Sequence, residues 1–331
     1  MRFALFPAVL SLLATAPAMA ADYKLAVTVA GPDGGWDYAS IDAPRNRLLL
    51  ARADGLMAVD LATHAVTPAL VPAQGVHGAV IAPNGIGVLA SGGAGGVLVF
   101  NAADGAVLAT IPTGSKPDAV VYEPKTGLAA VMDNKGGGVA LIDPAKKAAA
   151  GTIAVDGMLE FAAADSTGQV FVNVEDKGEL VALDVPGRRV TAHYPLPDCE
   201  KPTGLALDPK THVLVSACAN GKAIALSAVD GTVLATLPIG SRPDAVIFDD
   251  KNKRFLVPCG GDGVLTVISA KGSSLEVTGT VQTAERARLG ALDPATGKLY
   301  LPTADFQPAA QPGERPTMVP GSFRILILAQ D

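Results

Sequence analysis

Apolar residues in this chain fall in runs of four or five, separated by turns rich in Gly, Pro, Asp, Asn and Thr, and the runs recur in groups of four. In the clearest group, Ala119 to Glu123 reads as one strand, Pro124 to Gly127 as a turn, Leu128 to Met132 as a second strand, Val139 to Ile142 as a third and Gly151 to Ala154 as a fourth. Such runs are too short for helices, and their blurred alternation suits strands covered on both faces. One phrase occurs almost unchanged twice, IPTGSKPDAVVYE from Ile111 and LPIGSRPDAVIFD from Leu237. With the turn after each first strand as a ruler, seven copies are marked by Pro44, Pro83, Pro124, Ser166, Pro209, Asp250 and Pro294, 39 to 44 residues apart. Four short strands repeated at that period predict an all-β fold, a seven-bladed β-propeller of four-stranded antiparallel blades.

The two ends of the chain fit such a ring. The seventh unit has a first strand at Leu289 to Leu292, a second at Lys298 to Pro302 and a third at Phe323 to Leu328, but no fourth. Lys24 to Ala30 has strand composition and precedes the first unit, so it is expected to complete the seventh sheet and remove an open edge. A Pro-rich insertion, residues 306–322, interrupts the last blade and is expected either as a flap over the channel mouth or as a linker. Residues 1–20, with Arg2, an apolar run from Phe3 to Ala16 and Ala18-Met19-Ala20, have the form of a cleavable signal peptide. No later stretch approaches the ~20 apolar residues of a membrane span. The expectation is one domain over residues 21–331, soluble and monomeric, periplasmic or secreted.

The formal net charge of −6 becomes −7 once Arg2 is removed with the signal, a poor global match for nucleic acid or an anionic membrane. Three cysteines in an exported chain allow one internal disulfide. Cys218 and Cys259 occupy equivalent second-strand ends of adjacent blades, and sheets ~10 Å apart are too distant to bridge. Cys199 lies in the loop entering the blade of Cys218, so Cys199–Cys218 is the expected pair and Cys259 the unpaired thiol.

Phrases such as PDAVVYEPKTG, VALIDP and PTGLALDPKT resemble the YVTN-type repeats of the YncE family of exported seven-bladed propellers, over essentially the whole mature chain. The second strands here end VMDN, VNVED, SACAN and VPCGG, so the literal YVTN tetrapeptide is absent. The resemblance implies the propeller fold, export and a largely non-enzymatic character, and through the family's link to DNA a minor expectation of single-stranded DNA binding.

In a propeller the first strand of each blade lines the central channel. The residue six places before each marker is then Tyr38, His77, Asp118, Glu160, Thr203, Asp244 or Arg288, and all seven can hydrogen-bond or ionise. Two places earlier stand Trp36, Gly75, Lys116, Met158, Lys201, Arg242 and Arg286, a more basic tier. Arg52, Asp133, Asn134, Glu175, Asp176 and Asp305 are expected on the same rim. A mouth with convergent polar groups is a default binding site, and a non-catalytic protein that binds a small anionic ligand or a protein partner is the first expectation. The alternative is a metal-dependent hydrolase of lactone-like substrates, with His77, Asp118, Glu160 and Asp244 as ligands of a divalent metal. No HExxH, EF-hand loop or G-x-S-x-G setting accompanies them.

Overall fold

In most repeats the marker turn is held by a carboxylate rather than by a proline. The residue before the turn is buried in blades 1, 3, 5, 6 and 7, as Asp42, Glu123, Asp208, Asp249 and Asp293. Glu123 accepts hydrogen bonds from the backbone N–H groups of Lys125 (3.1 Å) and Thr126 (2.7 Å), and from Gly168 of the next blade (3.1 Å). Asp208 accepts from Lys210 N (3.0 Å) and Thr211 Oγ1 (2.7 Å) in the same way. A carboxylate that satisfies turn N–H groups locally is what lets Asp or Glu end a strand in a buried place.

The computed structural model describes residues 23–271, 275–308, 311 and 314–330; the segment read as a signal peptide lies outside them. Seven four-stranded antiparallel sheets form a seven-bladed β-propeller. Their innermost strands are Trp36–Asp42, Val76–Ile81, Pro117–Glu123, Leu159–Ala164, Pro202–Asp208, Ile247–Asp249 and Ala291–Leu292, and each touches the next around a closed circuit. The strands behind them are almost wholly buried, and apolar clusters lie between every pair of neighbouring blades. Leu49 and Leu56 meet Leu89 and Phe100 between blades 1 and 2, and Val29, Tyr300 and Ile325 meet Leu48 and Leu50 between blades 7 and 1.

The ring closes through the N-terminal strand. Tyr23–Ala30 pairs antiparallel with Arg324–Gln330, from Tyr23↔Gln330 to Ala30↔Arg324, and is the outer strand of the sheet that holds Ala291–Leu292 and Leu299–Thr303. Tyr23 is 2% exposed, donates to Gly297 O (3.0 Å), accepts from Gln330 Nε2 (3.1 Å) and lies under the Arg254 guanidinium, 4.8 Å away. The 306–322 stretch holds a short ribbon, Phe306–Gln307 against Thr317–Met318. Its root is fastened by Arg324, which grips both oxygens of Asp305 at 2.8 and 2.9 Å.

A disulfide joins Cys199 to Cys218 with Cα atoms 5.3 Å apart. Cys259 is free and buried, and burial pushes its thiol up to about 11, so it carries no thiolate near neutrality. Among the described residues no helix is long and apolar enough to cross a membrane.

Replacing Tyr23 by Ala is expected to lower the unfolding free energy by about 3 kcal/mol or more, since it empties a buried aromatic site and frees Gly297 O. Leu25→Ala, on the same strand but 56% exposed, should change it by less than about 0.5 kcal/mol. Guanidinium unfolding of both variants measures the difference.

Candidate ligand-binding site at the channel mouth

An irregularity in the first strand aims the channel residues. Pairing with the second strand skips between Trp36 and Ala39, Val76 and Ala79, Pro117 and Val120, Leu159 and Ala162, and Pro202 and Leu205. In blade 6 the interval widens, with Pro243 bridged to Cys259 and regular pairing resuming at Ile247. A bulge swings side chains out of strict alternation. The skipped intervals contain Tyr38, His77, Asp118, Glu160, Thr203 and Asp244, the residues expected to enter the channel, and in blade 1 also Asp37.

On the axis these side chains form a mainly acidic network. His77 Nδ1 lies 2.7 Å from Asp37 Oδ2 and 3.2 Å from Asp118 Oδ1. Tyr38 reaches from blade 1 to blade 4, donating to Glu160 Oε2 at 3.3 Å while its ring meets Phe161 edge-on at 5.0 Å. Asn134 Nδ2 donates to Glu160 Oε1, and Lys116 Nζ donates to Asn134 Oδ1 at 2.7 Å. Burial raises Asp118 to about 7 and Glu160 to about 9, each helped by neighbouring carboxylates. Burial also raises Asp244 to about 6, opposed by the Arg288 guanidinium 3.2 Å away. His77 is raised chiefly by its bond to Asp37. Thr203 instead donates to Pro243 O at 3.0 Å, tying blade 5 to blade 6, and Lys201 pairs with Glu175 at 3.4 Å.

Of the basic tier, the arginines gather to one side, joined by Arg288, while Lys116 and Lys201 stay with Asn134 and Glu175. Trp36, Arg242, Arg286 and Arg288 line a cavity of about 750 Å³ where blades 6, 7 and 1 meet, and Phe306, Arg315 and Met318 of the last-blade insertion complete its wall. Trp36 packs against Phe306 (ring centroids 6.3 Å) and Phe323 (5.4 Å), and the Arg286 guanidinium stacks 3.9 Å over Phe306. Asp33 holds the wall in place by accepting from Gly321 N at 2.6 Å and Phe323 N at 3.3 Å. Arg242 and Arg286 have left-handed backbones, φ 51° and 63°, where the matching residue of blade 2 is Gly75 at 59°. A non-glycine residue there costs roughly 1 kcal/mol, and among the described residues Arg242 and Arg315 make no ion pair.

The structure therefore divides the expected site in two. His77 and Asp118 come together, but with Asp37 rather than with Glu160 and Asp244; those two engage Tyr38 and Asn134, and Arg288. Met158 is exposed and outside both groups. A hollow of about 420 Å³ along blade 3, between Pro112 and Ala154, has Asp133 as its one ionisable wall residue. That carboxylate is spent on the N–H groups of Lys116, Lys135 and Gly136, so the chemistry lies at the mouth. Sequence reasoning passed over Asp37 because alternation places it opposite Trp36 and Tyr38. Phe306, Arg315 and Met318 lie in a stretch with no repeat to align them.

No family model and no curated protein sequence matches this chain. Among solved structures it is similar to a chain of hydrazine synthase from Kuenenia stuttgartiensis, with TM-score 0.71, 14% identity, and 87% of this chain and 96% of that one covered. It is also similar to a chain in the crystal structure of the mitotic checkpoint complex, with TM-score 0.75, 13% identity, and coverage of 98% and 99%. At these identities the likeness is one of fold alone.

The raised carboxyl of Glu160 sets a pH dependence. An acid whose folded pKa lies above its ordinary 4.5 supports the fold while protonated, and that support drains away as pH rises toward about 9. The melting temperature should therefore fall from about pH 5 to 9, and Glu160→Gln, neutral throughout, should flatten the decline. Calorimetric melts across that range make the comparison.

Proposed function

We propose that the protein is a non-catalytic binding protein for a small anionic ligand with an apolar or aromatic part, held in the cavity between blades 6, 7 and 1. The observation that carries this reading is the convergence of four guanidinium groups, Arg242, Arg286, Arg288 and Arg315, with Trp36 and Phe306 on one cavity, where they outnumber the two carboxylates Asp33, which is bonded to backbone N–H groups, and Glu285, in a chain whose net charge is −6. Guanidinium forks match carboxylate and phosphate oxygens, and the aromatic faces bury the rest of a ligand. Arg288 is partly neutralised by Asp244, whereas Arg242 and Arg315 are not paired among the described residues. A recessed cavity walled by the short ribbon favours a small molecule over a protein surface or a nucleic-acid strand. The YncE-like repeats and the signal-like N-terminus support export to the periplasm or exterior as part of the same reading.

The chain has a single tryptophan, and it stands in the cavity, so its fluorescence reports occupancy directly. Titration with inorganic phosphate, citrate and benzoate is expected to give a saturable change for at least one of them, weakening as salt is added. Arg286→Ala should weaken that binding by about 10- to 100-fold, the worth of a lost charge-assisted hydrogen bond. Arg242→Gly should weaken it similarly while leaving stability unchanged or slightly higher, because glycine suits the left-handed backbone. An absence of saturable change with all three anions, or binding that both variants leave intact, overturns the reading.

A further inference from the structure

The axial group Asp37, His77 and Asp118 is separate from the guanidinium cavity, and in it a single imidazole nitrogen faces two carboxylates. Its three side chains come from the bulges of three consecutive blades, so the ring itself fixes their spacing. His77 Nδ1 faces Asp37 Oδ2 at 2.7 Å and Asp118 Oδ1 at 3.2 Å, and the three donor atoms lie within 4.8 Å of one another. One ring nitrogen carries at most one proton, and the shorter distance assigns it to Asp37. Asp118 is left with no hydrogen-bond donor among the described residues, although it is only 5% exposed. Lys116, the nearest cation by sequence, is turned to Asn134. A carboxylate buried to that degree with no donor is costly.

We propose that Asp37, His77 and Asp118 bind one divalent first-row transition ion, Zn²⁺ or Mn²⁺, through one oxygen of each carboxylate and His77 Nδ1. Metal–ligand bonds of about 2.0–2.2 Å set neighbouring donor atoms about 3.0 Å apart at right angles and about 3.4 Å apart at the tetrahedral angle, so the 3.2 Å separation already falls in that range and the 2.7 Å one has to open by a few tenths of an ångström on binding. One imidazole with two carboxylates suits ions that accept both nitrogen and oxygen, in preference to Ca²⁺ or Mg²⁺, which favour oxygen sets. The two carboxylate charges balance the ion's charge, which gives Asp118 a counter-charge in direct contact, where His77 is shared with Asp37 and Lys116 is bonded to Asn134. Three protein ligands leave further coordination positions for solvent or a small donor. Glu160 and Asp244 are not part of the set, since their partners are Tyr38 with Asn134, and Arg288.

The test uses the untagged protein, stripped with chelator and then exchanged into chelator-free buffer. Equilibrium dialysis against Zn²⁺ and, separately, Mn²⁺, with elemental analysis, is expected to return one tightly held ion per chain for at least one metal. That metal should raise the melting temperature. Asp118→Asn and His77→Gln should each weaken binding by at least about 100-fold and abolish the thermal shift, while melting cooperatively in metal-free buffer. Asp37→Asn serves as the replacement if either variant fails to fold. Co²⁺ offered to the stripped protein should give a visible absorption band that is lost in the same variants. Sub-stoichiometric uptake of both metals by cooperatively melting protein overturns the proposal, as does stoichiometric uptake that the folded variants retain. Phosphate, citrate or benzoate binding to the stripped protein tests the guanidinium cavity separately.

Discussion

No blade of this molecule can hide its own surface. A four-stranded sheet of six-residue strands has two apolar faces and no helix to cover either, so each blade depends on a neighbour at both sides, and the dependence ends only when the circle is complete. The interblade clusters, such as that of Leu205, Leu214 and Phe171 between blades 4 and 5, are the hydrophobic core spread around a ring. The pairing of Tyr23–Ala30 with Arg324–Gln330 is what makes that spread possible. Among the described residues the apolar clusters lie between blades and leave the axis to polar side chains, which gather there with partial access to water.

The bulges decide which side chains those are. Regular strands would hide alternate residues in the blade interfaces, but the skipped pairings bring Trp36, Asp37 and Tyr38 of a single strand into contact with the mouth and the axis together. The outcome is a separation of charge over a short distance. Carboxyls dominate beside blades 1 to 4, where burial keeps Asp118 and Glu160 reluctant to ionise, and guanidiniums dominate beside blades 6, 7 and 1. Asp244 and Arg288, paired at 3.2 Å, stand where the two regions meet.

The fold was almost fully legible in the sequence because the repeat is written in turn chemistry. The D-P-x-T and E-P-x-T phrases are strand ends whose carboxylates cap turns, and they recur whether or not the blade has a function. The missing fourth strand of the last unit pointed to the closing strand by elimination. The site was legible only in part. Counting back from a marker identifies one residue per blade, and in blades 1 to 5 that residue falls in the bulge because the bulge recurs in register there. The count missed Asp37 because a period-2 argument cannot anticipate a bulge. It grouped Glu160 and Asp244 with His77 because equal positions around a ring do not say which side chains span the axis; Tyr38, long enough to reach blade 4, takes Glu160. The wall made by Phe306 and Met318 was beyond reach, since its ribbon belongs to no repeat.

The strand that locks the ring has a further meaning in time. Tyr23 and Gln330 are 307 positions apart, and of the strands described, Tyr23–Ala30 emerges first, from the ribosome or from an export channel, and Arg324–Gln330 last. Six blades can stack as they emerge, each on the one before, but the earliest strand must wait, unpaired and apolar on one side, for its partner to appear. Closing so long a loop adds only a slowly growing entropy, so the wait is a matter of sequence of events more than of free energy. During that interval the growing protein has the open sheet edge that its finished form lacks, and it is then, rather than once folded, that it is most open to pairing with the wrong strand.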